Sequence, residues 1–123
     1  MDNAPGRLLI VDDNKVNLMV TKKLLEKAGL IVETAENGEA AVAVASSDKY
    51  DLILMDLQMP IMDGYAAAKE IRTQDHNTHT PIIALSANVM QSDIDRCYQV
   101  GMNAHIPKPL DINRVYDTIA RYL

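Results

Sequence analysis

Short apolar runs alternate with longer segments of helical periodicity along the whole chain. Five runs rich in Ile, Val and Leu predict strands that are apolar on both faces, as buried parallel strands are. Their predicted bounds are residues 7–11, 30–34, 51–55, 81–85 and 104–106. Strands that alternate with helices in this way are typical of β-α units around a parallel sheet. The pattern therefore predicts an α/β fold of five such units.

A predicted helix follows each strand. The helices cover residues 14–28, 39–46, 66–72 and 92–100, and the last begins near residue 110. Gly29 should end the first helix, and Asp63 should begin the third, with Gly64 allowing a close approach there. One apolar stripe of the first helix is expected to pack on the sheet; it consists of Val16, Val20, Leu24 and Ala28.

The length and the apolar content are those of one domain. A chain of 123 residues with 48% apolar residues can build a single core without disulfides or metals. We expect residues 1–6 to be a linker and residues 7–123 to be the domain, with no room for an output module. The first six residues lack the features of a secretory signal, which predicts a cytoplasmic location and leaves open a membrane anchor on a longer parent protein.

Charge and residue usage exclude several classes of function. The net charge of −5 argues against nucleic-acid binding, and the apolar runs are too short for direct membrane insertion. Tyr is the only aromatic residue type, so there is no platform on which bases could stack. Cys97 is the only cysteine, which rules out an intrachain disulfide and a cysteine-based zinc site.

Polar side chains follow four of the five predicted strands. They are Asp12 and Asp13 after the first strand, Asp56 after the third, Ser86 after the fourth and Lys108 after the fifth. Ligands of open parallel sheets bind at the carboxyl ends of the strands, so we expect these groups to converge on one edge. Taken alone, Asp12 and Asp13 would favour a solvated turn that caps a helix, and it is their register with Asp56 and Lys108 that favours a site.

Three converging carboxylates would raise one another's pKa unless a cation lay between them. Mg²⁺ suits such a site, because it prefers a few carboxylates together with water and a substrate phosphate. Asp56, single and central, is the best placed nucleophile toward a phosphoryl group. Lys108 could neutralise a phosphoryl oxygen and Ser86 could donate a hydrogen bond to another.

These segments resemble the receiver domains of two-component response regulators over residues 8–123. The matching stretches are IVDDN at 10–14, LMDLQMPIMDG at 54–64, PIIALSA at 81–87 and KP at 108–109. The resemblance implies a flavodoxin-like three-layer fold with strand order 2-1-3-4-5. It also implies that Asp12, Asp13, Asp56 and the Gln58 carbonyl surround Mg²⁺, that a phosphohistidine phosphorylates Asp56, and that the Lys108-Pro109 bond is cis.

Two positions depart from the usual pattern of the family. Ser86 stands where Thr is more common and keeps the switch hydroxyl. His105 occupies the switch position where many members carry Tyr or Phe, which suggests a pH-dependent response as a hypothesis. Gln58 and Asn88 are expected to influence how fast water removes the phosphoryl group.

Further motifs resemble the receivers of hybrid sensor histidine kinases, including Asn17 and residues 24–29, 37–40, 55–60 and 87–88. The resemblance implies a histidine kinase or a histidine phosphotransfer domain as partner. The partner would contact the first helix, or the surface of the fourth helix, fifth strand and fifth helix. The domain itself would be a phosphoacceptor with self-catalysed transfer and dephosphorylation rather than a turnover enzyme, although a longer parent would be a histidine kinase.

Several alternatives stay open at this point. The chain could be a stand-alone single-domain response regulator, or a receiver fold used only for docking. An aspartyl-nucleophile phosphatase is disfavoured because Gln58 stands where a second acid is needed. A flavin or nucleotide module is disfavoured because no glycine-rich loop follows the first strand. The oligomeric state is not predicted.

Overall fold

The computed structural model describes residues 6–87 and 90–123. Five parallel strands form one sheet in the order β2-β1-β3-β4-β5. Their bounds are β1 Arg7–Val11, β2 Ile31–Ala35, β3 Leu52–Asp56, β4 Ile82–Ser86 and β5 Ala104–Pro107. The predicted flavodoxin-like fold and strand order are confirmed. Three of the strands, β2, β3 and β4, begin and end one residue later than predicted.

Five α-helices cover the two faces of the sheet. They are α1 Lys15–Lys27, α2 Gly38–Ser47, α3 Gly64–Arg72, α4 Gln91–Gln99 and α5 Ile112–Tyr122, and a short 3-10 helix spans Asp75–Asn77. One core cluster joins the sheet to α1 and α5, and the other joins it to α2, α3 and α4. The result is three layers with the sheet in the middle. In the part of the chain that is described, no helix is long and apolar enough to cross a bilayer.

Four helices begin at a residue whose side chain accepts a hydrogen bond from the first turn. These N-cap residues are Asn14, Asn37, Asp63 and Asp111. Each cap satisfies a backbone N–H that has no partner within the helix. Three of the four caps follow a strand directly or after a short loop, so the caps place the helix starts at the carboxyl edge of the sheet. Gly29, with φ of +91°, follows α1 as predicted.

The predicted packing face of α1 is wrong. The helix buries Leu18, Thr21 and Leu25, whereas Val16 and Val20 are 69% and 52% exposed. Both sets follow a helical period, so periodicity alone does not tell which face is buried. The buried set contains two of the three leucines of the helix, Leu18 and Leu25, which fill more core volume than valines. Thr21 is polar, so the buried set does not look like an apolar stripe in the sequence. The outer face of α1 therefore carries an exposed apolar surface formed by Val16, Met19 and Val20.

Candidate functional site

Three carboxylates meet at the carboxyl edge of the sheet. Asp12 follows β1, and Asp56 ends β3; both are nearly fully buried, at 3% and 4% exposure, while Asp13 is exposed. Val11 pairs with Met55 in the sheet, so Asp12 and Asp56 lie side by side. One carboxylate oxygen from each of the three acids lies within 4.8 Å of the other two. The predicted convergence of the acids is thus present in the structure.

Lys108 brings the positive charge to this cluster. Its Nζ lies 3.2 Å from Asp56 Oδ1 and 3.4 Å from Asp12 Oδ2. The backbone N–H of Lys108 donates to the Ser86 carbonyl, 2.8 Å away, which fixes the chain beyond β5 against the end of β4. The Lys108-Pro109 peptide bond is cis, as the resemblance implies. A lysine held in this way can neutralise an anionic group next to Asp56.

Burial raises the pKa of the Asp56 carboxyl, and the negative charge of Asp12 adds to this effect. Lys108 and a hydrogen bond from the backbone N–H of Gln58 act in the opposite direction. The carboxylate is therefore costly to keep ionised without a further cation. A divalent metal among the three acids would supply that charge, and an all-carboxylate donor set fits Mg²⁺.

The loop after β3 is held tightly against the phosphoacceptor candidate. The N–H of Gly64 donates to the Leu57 carbonyl at 2.9 Å, and a Cβ at residue 64 would collide with the Asp56 carbonyl oxygen. Asp63 caps α3 by accepting from the N–H of Ala66. The structural roles predicted for Asp63 and Gly64 are confirmed. A side chain at position 64 would push the loop away from Asp56.

Ser86 and His105 lie where the sequence placed them. Ser86 is the last residue of β4, is 5% exposed and pairs with Pro107 in the sheet. His105 is half-buried in β5, and within residues 6–87 and 90–123 its buried Nε2 atom has no hydrogen-bond partner. Burial lowers the pKa of His105, and the positive charge of Arg114 lowers it further. Asn88, the other predicted modulator, lies outside the described residues.

Two cavities flank the site, and the sequence predicted neither. One, of about 520 Å³, lies between α1 and α5; Asp12 and Lys108 line it together with apolar side chains such as Val20, Leu24 and Ile112. The other, of about 320 Å³, lies toward α3 and α4, where Gln58 and Ser86 line it. No local motif predicts these cavities, because their walls come from segments far apart in the chain.

The second cavity contains an unexpected pair of side chains. The guanidinium of Arg96 in α4 stacks on the ring of Tyr65 in α3, with its central carbon 4.1 Å from the ring centroid. The Tyr65 hydroxyl donates to the Asp93 carbonyl at 3.3 Å. Burial is the main cause that raises the pKa of Tyr65 to about 12. Sequence reasoning missed this pair because nothing local links the two helices.

Comparisons with known proteins agree with this geometry. Residues 8–120 match the response regulator receiver domain family. The chain is 36% identical to the polar-differentiation response regulator DivK of Brucella anthropi, and the match covers 97% of both proteins. It is 41% identical to hybrid signal transduction histidine kinase K of Dictyostelium discoideum over 92% of the chain and 10% of the kinase. The chain spans only 6% to 16% of the histidine kinases it matches.

Solved structures of receiver domains also superpose on this chain. The receiver domain of the Pseudomonas aeruginosa sensor histidine kinase PA1611, solved with magnesium coordinated in its active site cleft, superposes with a TM-score of 0.90 at 39% identity, covering 97% of this chain and 98% of that one. A co-crystal structure of Saccharomyces cerevisiae Ypd1, a histidine phosphotransfer protein, with the receiver domain of Ssk1 matches with a TM-score of 0.89 at 28% identity, covering 99% of this chain and 91% of that one. The chain therefore belongs to the family of response regulator receiver domains, which act in two-component phosphorelay signalling.

Proposed function

We propose that Asp56 accepts a phosphoryl group from a phosphohistidine and holds it as an aspartyl phosphate. The observation that carries this proposal is the buried Asp56 carboxylate at the end of a central strand, 3.2 Å from the Lys108 ammonium and beside two further acids. A buried carboxylate with a cation on one side and a metal-binding set on the other is suited to nucleophilic attack on phosphorus.

Asp12, Asp13 and Asp56, with the Gln58 carbonyl, would hold Mg²⁺. The donor set supports this, since three carboxylate oxygens within 4.8 Å are a hard, anionic site. The magnesium in the PA1611 receiver domain supports it as well. When bound, Mg²⁺ offsets negative charge on the phosphoryl oxygens.

Each residue around Asp56 would have a separate role in phosphoryl transfer. An Asp56 oxygen attacks phosphorus, and the P–N bond to the donor histidine breaks. The electron pair stays on that nitrogen, and the donor leaves as neutral imidazole because its other ring nitrogen carries a proton. Lys108 pairs with one phosphoryl oxygen, and the Ser86 hydroxyl donates to another. Because Ser86 is buried at the end of β4, its hydrogen bond would report the phosphoryl group to the chain that follows. His105 in β5 is the second switch position.

The donor or acceptor protein would be a histidine kinase or a histidine phosphotransfer domain. Any protein that presents a histidine to Asp56 must cover the edge of the sheet around it. The exposed apolar surface of α1, formed by Val16, Met19 and Val20, lies next to this edge and suits such a contact. The complex of Ypd1 with the Ssk1 receiver domain supports a partner of this class.

Two settings for the domain have support. The match to hybrid histidine kinases favours a receiver within a longer kinase, which would pass the phosphoryl group onward. The match to DivK, covering 97% of both chains, favours a single-domain regulator whose output is partner binding. The cytoplasmic location and the domain start at residue 7 remain predictions in both settings.

Intact mass after incubation with acetyl phosphate tests the proposal. One phosphoryl adduct is expected with Mg²⁺, and none is expected with a chelator or in the Asp56→Asn variant. Ser86→Ala is expected to form the adduct more slowly, because it lacks the hydroxyl proposed to donate to the phosphoryl group. An adduct of equal yield in Asp56→Asn, or no adduct under any condition, would refute the proposal.

A further inference from the structure

The cavity between α3 and α4 lies beside the candidate phosphoacceptor site. Its lining includes Gln58 and Ser86 but neither Asp12 nor Lys108. With a volume of about 320 Å³ it has room for a small molecule rather than for a protein segment. A small phosphodonor in this cavity would lie against the groups proposed to surround the phosphoryl group of Asp56.

Arg96 supplies the positive charge of this cavity. Its guanidinium lies over the Tyr65 ring, with the central carbon 4.1 Å from the ring centroid. The ion pairs among the described residues involve Arg7, Lys15 and Lys108 and leave Arg96 out. Among the described residues, the side-chain hydrogen bonds donated by arginines come from Arg7 and Arg72, and none comes from Arg96. The edge of the guanidinium is therefore available to a ligand.

Two carboxylates also line the cavity, and both lie at helix starts. Asp63 is the N-cap of α3, and Asp93 lies in the first turn of α4. The positive end of a helix dipole offsets negative charge at these positions. Asp63 also accepts a hydrogen bond from the N–H of Ala66. Arg96 lies one turn beyond Asp93 along α4. Arg96 is thus the group in this cavity best suited to bind an anion.

We propose that Arg96 binds the carboxylate leaving group of a small acyl phosphate and makes acyl phosphates the preferred small phosphodonors of Asp56. The inference rests on the function proposed above and deepens it. In this reaction an Asp56 oxygen attacks phosphorus, and the bond between phosphorus and the acyl oxygen breaks. The electron pair stays on that oxygen, which leaves as a carboxylate without needing a proton. A guanidinium matches a carboxylate with two parallel hydrogen bonds.

Phosphoramidate provides the matched comparison. Its P–N bond breaks instead; the nitrogen is already protonated, so the electron pair stays on it and the leaving group departs as neutral ammonia. Arg96 has no developing negative charge to stabilise in that reaction. The ratio of the two second-order rate constants, acetyl phosphate over phosphoramidate, therefore isolates the effect of Arg96 from any general change in the site.

The test measures both rate constants, with Mg²⁺, by intact mass of the whole chain. Arg96→Gln is expected to lower the ratio about tenfold or more, the range for losing a hydrogen bond between charged groups. Tyr65→Phe keeps the ring beneath the guanidinium, and Arg121→Gln removes a distant arginine of α5. Both control variants are expected to keep the wild-type ratio.

Three outcomes would overturn the inference. An unchanged ratio in Arg96→Gln shows that Arg96 does not contact the leaving group. An equal fall of the ratio in Tyr65→Phe assigns the effect to the position of α4 rather than to the guanidinium. An equal fall in Arg121→Gln assigns it to net charge. By contrast, wild-type protein that takes no phosphoryl group from either donor would overturn the proposed function itself, and the inference would fall with it.

Discussion

The charge of Lys108 is expected to oppose Mg²⁺ binding and to favour the phosphoryl group proposed for the same site. Its ammonium lies within 3.4 Å of two of the three acids. In Lys108→Gln we expect Mg²⁺ to bind about tenfold more tightly, because a nearby positive charge is lost. Phosphorylation by acetyl phosphate is expected to slow at least ~100-fold, as when an oxyanion donor is removed. Calorimetric titration and intact mass measure the two effects.

The control for this pair of effects is Lys49→Gln, which removes an exposed lysine that makes no ion pair with the site. It should leave both quantities close to wild type. Weaker Mg²⁺ binding in Lys108→Gln would contradict the assigned geometry, since it would mean that Lys108 supports the metal-binding acids instead of competing for them.

Ile61 is the single non-glycine residue with positive φ among residues 6–87 and 90–123, at +71°. The N–H of Met62 donates to the Pro60 carbonyl at 2.7 Å and closes a three-residue turn around it. This conformation is strained for a β-branched residue, and its side chain is 75% exposed, so packing offsets little of the cost. Ile61→Asn should therefore raise the free energy of unfolding by about 0.5–1 kcal/mol in urea titrations.

Ile31→Asn provides the matched control, because Ile31 is also partly exposed but lies in the regular edge strand β2. The same exchange is expected to destabilise the protein there, since Asn is disfavoured in strands. A loss of stability in both variants would show that the turn at Ile61 is not strained.

His105 should make stability depend on pH. Burial and Arg114 lower its pKa in the folded state, so the unfolded chain takes up a proton more readily. The stabilisation from neutral His105 is present above pH ~6.5, the ordinary pKa, and is lost as pH falls through the folded pKa. In urea titrations carried out between pH 7.5 and 5, the free energy of unfolding should fall more steeply in wild type than in His105→Phe. Parallel curves would contradict this assignment.

The site residues were largely predictable because each follows a strand. Asp12, Asp56, Ser86 and Lys108 are each within two residues of a strand end, and parallel strands bring their carboxyl ends to one edge. The strain at Ile61 was not predictable, since it depends on how the loop is held between Gly38 and Gly64. Arg96 was missed for the same reason, because only the packing of α3 on α4 brings it to Tyr65.

Among the elements, α1 gives the clearest contrast between buried and exposed apolar residues. Leu25 is fully buried and Val20 is 52% exposed. Leu25→Ala should cost about 2–5 kcal/mol of unfolding free energy, whereas Val20→Ala should cost less than ~0.5 kcal/mol. Equal losses in urea titrations would restore the original interpretation, in which Val20 belongs to the packing stripe.

The two stripes of α1 show why the packing face of an element is harder to predict than its existence. A helix of 13 residues with apolar side chains on two faces has the same period whichever face is buried. The choice depends on the shape of the sheet beneath it and on α5 beside it. The exposed stripe is what remains for a partner.

For the whole molecule, the order of strands and helices and the three layers followed from the alternating pattern and from the resemblance. The predicted start of β2 was one residue early because Leu30, which precedes the strand, is apolar and resembles it. Cavities and helix-to-helix contacts depend on the assembled fold and had no signal in the sequence. The match over residues 8–120 to receiver domains agrees with the assembled fold as a whole.

The central claim is that Asp56 carries the phosphoryl group, and the most direct measurement is its chemical location. After reaction with acetyl phosphate and Mg²⁺, borohydride reduction converts an aspartyl phosphate to homoserine, and tandem mass spectrometry of the digested chain locates it. Our account predicts homoserine at position 56 alone. Homoserine at position 12 or 13, or an adduct on Ser86 or a histidine that borohydride leaves unchanged, would contradict it.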